Sequence, residues 1–172
     1  MAFSTNYETR DILPEGEYEC MILSAFLNAT QGGTQYFSIK MVIRNDVPQN
    51  HQNRFIYHAI WQRKPEKQTE EDKMVDGFSF KQLMNLSRAA GIPKGKSYNT
   101  LDDLGTDLKG KCIRVTLGHN EFNGETREQV KWSNLTKFPS CKHKMPVTNA
   151  EPALKVQEVS ESSIDDDDLP FD

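Results

Sequence analysis

The sequence lacks several features that would each point to a membrane or secreted protein. None of its 172 residues lies in a run near the roughly 18 consecutive apolar residues that a transmembrane helix needs. The N-terminal segment, residues 1–11, has no basic region followed by an apolar one. We therefore expect no membrane association and no secretory signal.

Cysteine is also scarce, with Cys20, Cys112 and Cys141 in no CxxC spacing. A small, odd number of cysteines indicates a reducing compartment, so we expect Cys20 and Cys112 to be small buried residues within strands. Cys141 and His143 lie two positions apart, but structural zinc normally needs four ligands and no second pair is present. No metal site is predicted.

Motifs of the common enzyme classes are missing as well. The four histidines are scattered, and the sequence contains no GxSxG, HExxH, Walker A or GxGxxG pattern. Residues 91–97, GIPKGKS, end like a phosphate-binding loop, but Ala90 stands where that motif needs its first glycine. We therefore predict a protein that is not an enzyme and has no cofactor.

Charge is divided unevenly along the chain. Residues 1–150 carry 20 basic and 17 acidic side chains, whereas residues 151–172 carry one lysine and eight acidic side chains. A weakly basic body with an acidic tail is typical of a nucleic-acid-binding protein whose tail has another partner. We predict a nucleic-acid-binding domain over residues 1–145. Residues 146–172 are predicted to be a disordered acidic tail, because they have too little apolar surface to offset their ordering entropy.

Alternation of apolar and polar residues predicts five strands and one helix. The helix covers residues 78–90, between the third and fourth strands, and the preceding segment 64–76 is predicted to be a mobile loop. Five strands with a helix in this place is the order of the OB-fold, so we predict a mostly β, OB-fold-like five-stranded barrel. A mixed α+β sheet would give the same order and stays an alternative. The predicted strands are residues 18–28, 35–44, 54–63, 111–118 and 129–135.

Several aromatic and cationic side chains are predicted to share the outer surface of this barrel, where rings stack on bases and cations neutralise phosphates. Trp61, Arg63 and Lys64 form the strongest local cluster. Phe55 and Tyr57 fit a core position equally well, and Trp132 is expected in the core. The predicted single-stranded DNA-binding residues are Tyr36, Lys40, Arg44, Arg54, Phe55, Tyr57, Trp61, Arg63, Lys64, Arg114, Phe122, Arg127 and Lys131.

The chain ends in DDDDLPFD, four carboxylates followed by a short apolar hook. This ending resembles the C-terminal tip of bacterial single-stranded DNA-binding proteins, which in that family recruits replication, recombination and repair proteins. The family's tip usually ends at its Phe, whereas here Asp172 follows Phe171. The predicted partner-binding residues are Asp165, Asp166, Asp167, Asp168, Leu169, Pro170 and Phe171.

A second resemblance lies in the segment 108–132. Its Gly110-Lys111 start, its Phe122-Asn123-Gly124 turn and its return strand are similar to the closing hairpin of small single-stranded DNA-binding proteins from phages and prophages. The resemblance implies an OB-like fold and binding of single-stranded DNA without strong sequence preference. It also implies a role in phage replication or recombination in the cytoplasm of a bacterial host, with a homo-oligomer possible.

Three other functions remain open on the sequence. A strand-annealing or recombination mediator protein would also bind single strands, but it would form rings or filaments. An acidic-tailed adaptor would bind a protein and no nucleic acid. An RNA-binding protein of cold-shock type is also compatible, because nothing in the sequence identifies a residue that reads the 2′-hydroxyl.

Overall fold

The computed structural model describes residues 12–145, and within them the chain forms one antiparallel five-stranded sheet. The strands lie in the order β3-β2-β1-β4-β5. Three α-helices in this part of the chain, all between β3 and β4, complete the fold. The predicted acidic tail and its tip lie outside the described residues. The strands are β1 (Gly16–Ala29), β2 (Gln35–Ile43), β3 (Phe55–Trp61), β4 (Cys112–Phe122) and β5 (Glu125–Leu135), and the helices are α1 (Glu70–Met74), α2 (Phe80–Ala89) and α3 (Leu101–Leu108).

The sheet is open rather than closed into a barrel. Within residues 12–145, β3 and β5 are its edges and are not paired with each other. The edges still approach, because the Arg54 guanidinium lies 4.0 Å from a carboxylate oxygen of Glu128 on β5. The prediction of a mostly β chain with five strands is confirmed, whereas the sheet does not close into the predicted OB-fold-like barrel.

The connection from β3 to β4 contains three helices where one was predicted. The predicted helix is α2. The segment predicted to be a mobile loop contains α1, which Thr69 and Asp72 begin with reciprocal side-chain to backbone hydrogen bonds. α3 was not predicted as a helix, and it packs so closely on β1 that a Cβ added to Gly105 would lie 2.0 Å from the Ala25 carbonyl oxygen. This tertiary contact is not visible in the local sequence.

Alternate residues of β2 and β3 fill the core, which fits the alternation that predicted these strands. Phe37, Ile39 and Met41 of β2 are fully buried, and so are Ile56 and Ile60 of β3. Successive side chains of a strand point to opposite faces of the sheet. The residues between these core positions therefore lie on the outer face.

The inward and outward alternation of side chains along β1 changes phase at a bulge. Ile22 is opposite Met41 of β2, but Ser24 is opposite Lys40, so one extra residue lies between them. Ile22 therefore points into the core, while after the bulge Ala25 points inward and Phe26 outward. The second half of β1 contributes an aromatic ring to the outer face as a result.

Residues 136–145, called the strap below, lie against the outer surface at the ends of β2 and β4. The fully buried Arg44 donates hydrogen bonds to the carbonyl oxygens of Phe138 and Ser140, at 2.9 and 3.1 Å. On β1, the Glu19 carboxylate accepts the Lys137 N–H at 3.1 Å. Side chains of the sheet thus hold the strap through its backbone.

A disulfide also fixes the strap, contrary to the expectation of three reduced cysteines. Cys112 of β4 is bonded to Cys141, with their Cα atoms 6.3 Å apart. Cys20 is a free, buried thiol, and its burial raises its pKa. The strap brings together two cysteines that are 29 positions apart in the sequence, and no local spacing signals this pairing.

Candidate nucleic-acid interface

The outer surface of β3, β2 and the second half of β1 carries a set of rings around one lysine, called the aromatic face below. Register places Trp61 opposite Tyr36, Tyr57 opposite Lys40, and Phe55 opposite Val42. Phe26 joins from β1, where it lies opposite Ser38. The aromatic face is defined by Phe26, Tyr36, Lys40, Phe55, Tyr57 and Trp61.

Three rings of this face are open to solvent. The exposed fractions are 59% for Tyr57, 45% for Phe26 and 39% for Phe55, although strand aromatics of this size normally pack inward. The Lys40 ammonium lies 4.4 Å from the Phe55 ring centroid and 6.0 Å from that of Tyr57. A cation is therefore held between two exposed rings by cation–π attraction.

Tyr36 is a buried member of the aromatic face, and its ring contacts that of Trp61. Its ring is only 4% exposed, and its centroid lies 4.8 Å from that of Trp61 with the planes inclined by 34°. The prediction that Tyr36 is itself an exposed stacking ring is therefore wrong. It backs Trp61, which remains partly exposed.

Three predicted cations lie at the two ends of β3. Arg54 precedes the strand and remains partly exposed beside Glu128. Arg63 and Lys64 follow the strand, and the Arg63 Nε lies 3.7 Å from an Asp72 carboxylate oxygen. The backbone N–H groups of Phe80 and Thr69 lower the pKa of Asp72, so its negative charge is stabilised where it orients Arg63.

Arg44 and Arg114 do not belong to this surface. Arg44 is fully buried under the strap, donates two hydrogen bonds to Asp46 at 2.9 and 2.6 Å, and thereby lowers the pKa of Asp46 to about 2. Arg114 lies on β4 and is mostly buried beside Glu17, at 2.8 Å. Alternation correctly placed both side chains on the outer side of the sheet. It did not predict that the strap covers Arg44 or that Glu17 pairs with Arg114. The predicted contact of Arg44 with DNA is therefore corrected to a structural role, while that of Arg114 stays a prediction.

Phe122, Arg127 and Lys131 lie on the β4–β5 hairpin rather than on the aromatic face. The Arg127 guanidinium lies 5.1 Å from the Phe122 ring centroid, beside the predicted Asn123-Gly124 turn. Both turn residues have positive φ, which Asn and Gly tolerate best. The Lys131 ammonium donates to Gln129 at 2.9 Å. Phe122 and Arg127 thus form a contact at the turn, while Lys131 lies farther along β5.

Sequence reasoning missed two exposed aromatic rings on the strands. Phe26 lies in a largely apolar run, where nothing marks the bulge that turns it outward. Trp132 was expected in the core but is exposed, because the register between β4 and β5 shifts between Thr116 and Leu117. Val130 therefore pairs with Leu117 inside, whereas Trp132 pairs with Thr116 outside.

Residues 12–145 offer no other obvious centre for chemistry. None of their helices combines the length and the apolar character that crossing a membrane requires. In the same part of the chain, no group of three or more histidine, cysteine, aspartate or glutamate side chains is placed to hold a metal ion. The aromatic face is thus the surface on which a functional argument rests.

Fold and surface together define a small, mostly β protein with an exposed aromatic and cationic sheet face. Over residues 3–152 the chain matches the family described as "Protein of unknown function (DUF669)", and it belongs to that family. A search of curated proteins finds no match.

Proposed function

We propose that this protein binds single-stranded DNA along the aromatic face, without strong sequence preference. The observation that carries the proposal is Lys40 held between the exposed rings of Phe55 and Tyr57. Rings supply stacking surfaces for bases of any type, and a cation between two rings lies where the phosphate linking two stacked bases would pass. The protein would coat exposed strands during phage DNA replication or recombination.

The spacing of the rings favours a single strand over a duplex. Outward-facing residues of one strand are two positions apart, which corresponds to about 7 Å along the strand. Successive bases of a duplex strand rise by only about 3.4 Å. Bases placed on Phe55 and Tyr57 would therefore be separated from each other, which an unpaired strand permits and a duplex resists.

The strand order supports an OB-type fold with an open seam. All the pairings are antiparallel, with β1 in the centre of the sheet, and the two edge strands approach each other at Arg54 and Glu128. OB-folds are partly open barrels that bind oligonucleotides across the face of their second and third strands. The aromatic face lies on those two strands and on the neighbouring half of β1.

The acidic tail would give this DNA-binding body a second partner. Its tip, residues 165–171, would recruit replication or recombination proteins, with the carboxylates guiding it to a basic surface and Phe171 entering an apolar pocket. This part of the proposal rests on the sequence, since the tip lies outside the described residues. The proposed setting is the cytoplasm of a bacterial host.

The test is a binding titration with dye-labelled oligo-dT, read by fluorescence anisotropy at several salt concentrations. We expect tight binding to the single strand, weak binding to a duplex control, and a steep salt dependence from phosphate neutralisation. Wild-type protein that binds neither oligonucleotide at low salt would overturn the proposal.

Matched variants locate the interface. Tyr57→Ala and Phe26→Ala should each weaken binding by about 1–3 kcal/mol, the usual contribution of one stacked base. Met84→Ala removes a similarly exposed apolar side chain from α2, away from the aromatic face, and should leave affinity unchanged. Equal losses in all three variants would argue against a localised stacking surface.

A further inference from the structure

We propose that Lys142 and Lys144 of the strap bind phosphates of the strand that lies on the aromatic face. The inference rests on the proposed function and extends its site to a segment that the sequence did not implicate. Both lysines are exposed. They are presented by a part of the chain that is fixed on the sheet.

The strap is attached through backbone groups at both lysine positions. The Lys142 N–H donates to the Asp46 carboxylate at 2.8 Å. The Lys144 N–H donates to the Asn45 side-chain oxygen at 3.1 Å, and the Lys144 carbonyl accepts from the Asn45 side-chain nitrogen at 2.7 Å. Because these bonds use only main-chain atoms of the strap, the attachment leaves the lysine side chains for other contacts.

The neighbouring residues Cys141 and His143 are attached to the rest of the fold through their side chains. Cys141 forms the disulfide with Cys112, and the His143 Nδ1 accepts the Asn45 N–H at 3.0 Å. Lys142 and Lys144 alternate with these two anchors. Their Cα atoms are at most about 7 Å apart, because two residues of extended chain span no more. This upper limit is about the spacing of successive rings along β3.

The same asparagine links the strap to the start of β3. The Asn45 side-chain nitrogen donates to the Asn53 side-chain oxygen at 2.9 Å as well as to Lys144. Asn53 is two residues before Phe55. A nucleic acid strand that follows β3 from Trp61 to Phe55 therefore runs toward the end of the strap, where two further cations extend the path.

The test compares two double variants in the oligo-dT titration, with the disulfide first verified by thiol titration of the unfolded protein. Lys142→Ala with Lys144→Ala should weaken binding and reduce the salt slope by about 1.4, because each phosphate contact on a single strand contributes about 0.7. Lys81→Ala with Lys94→Ala removes two exposed lysines from α2 and the following loop. This control should leave the slope unchanged.

The outcomes separate the two proposals. If wild-type protein binds oligo-dT and the strap variant has the same affinity and slope, the strap inference is wrong while the proposed function stands. If both double variants lose the same amount, only general charge is involved, and the inference is again overturned. If wild-type protein does not bind at all, the proposed function fails. Thermal melting of each variant verifies that the fold is intact.

Discussion

Tyr36 and Trp61 lie directly opposite each other on β2 and β3, with their ring centroids 4.8 Å apart. The tyrosine is buried and the tryptophan partly exposed, so the outer ring rests on a fixed inner one. Aromatic pairs in such tilted contact gain about 0.5–1.5 kcal/mol beyond the burial of their surface. The contact therefore fixes the Trp61 ring on the aromatic face.

We expect this arrangement to make Trp61 the main fluorescent reporter of binding. In Trp132→Phe protein, oligo-dT should still quench most of the tryptophan emission, because Trp61 lies on the aromatic face. In Trp61→Phe protein the quenching should largely disappear, while anisotropy shows binding retained, since phenylalanine also stacks on bases. Undiminished quenching in the Trp61→Phe protein would place the strand near Trp132 on β5 instead.

Gly105 should be sensitive to even the smallest side chain. Alanine is favoured over glycine in helices by about 1 kcal/mol. Here, however, its Cβ would lie 2.0 Å from the Ala25 carbonyl oxygen, so α3 must shift away from β1. We expect Gly105→Ala to lower the free energy of unfolding by about 1–3 kcal/mol in denaturant titrations. Thr106→Ala, at an exposed position of the same helix, should change it far less, and equal effects would contradict the close packing.

His58, on the inward side of β3, should make stability depend on pH. Burial lowers its pKa from an ordinary value near 6.5 to about 4. As pH falls from about 6.5 to 4, the unfolded chain takes up the proton before the folded one, so stability is lost in this window. The loss is at most about 3 kcal/mol, measured by denaturant unfolding at several pH values.

The matched variant for this prediction is His58→Gln, which cannot titrate. Its stability should fall less steeply between pH 6.5 and 4 than that of the wild type. The remaining slope should include His143, because burial also lowers the pKa of that residue. Identical pH profiles for His58→Gln and the wild type would show that His58 is not held neutral in the folded protein.

Deleting residues 151–172 should strengthen binding of oligo-dT at low salt. The segment carries eight acidic residues and one lysine, so we expect it to compete with DNA for the cations of the body. The difference should shrink as salt rises, because screening weakens both interactions. Titrating the full and shortened chains across a salt series tests this, and equal affinities at low salt would exclude competition.

The parts of the fold that were predictable depend on local periodicity. Alternation along β2 correctly assigned Phe37, Ile39 and Met41 to the core and Lys40 to the outer face. The helical spacing of α2 and the Asn123-Gly124 turn are equally local signals, and both are confirmed. Each of these features is determined by residues within a few positions of one another.

The parts that were not predictable depend on contacts between distant segments. Local alternation predicts Arg44 to be an exposed cation. In the structure the strap, about 95 residues later in the chain, covers it. The Cys112–Cys141 disulfide and the exposure of Trp132 likewise follow from how strands and strap meet. These contacts join segments that are far apart in the sequence, and no local pattern indicates them. The outer surface was therefore only partly predicted.

The bulge in β1 makes pairing register, rather than side-chain identity alone, decide which residues face the core in this part of the molecule. Residues before it and after it serve the core in opposite phase, with Ile22 inward on one side and Ala25 inward on the other. Removing Leu23 would remove the extra residue, and simple alternation from Ile22 would still turn Ala25 inward and Phe26 outward. The strand could thus lose this one residue and keep both its core side and its outer ring, whereas losing the bulge at full length would exchange the two sides.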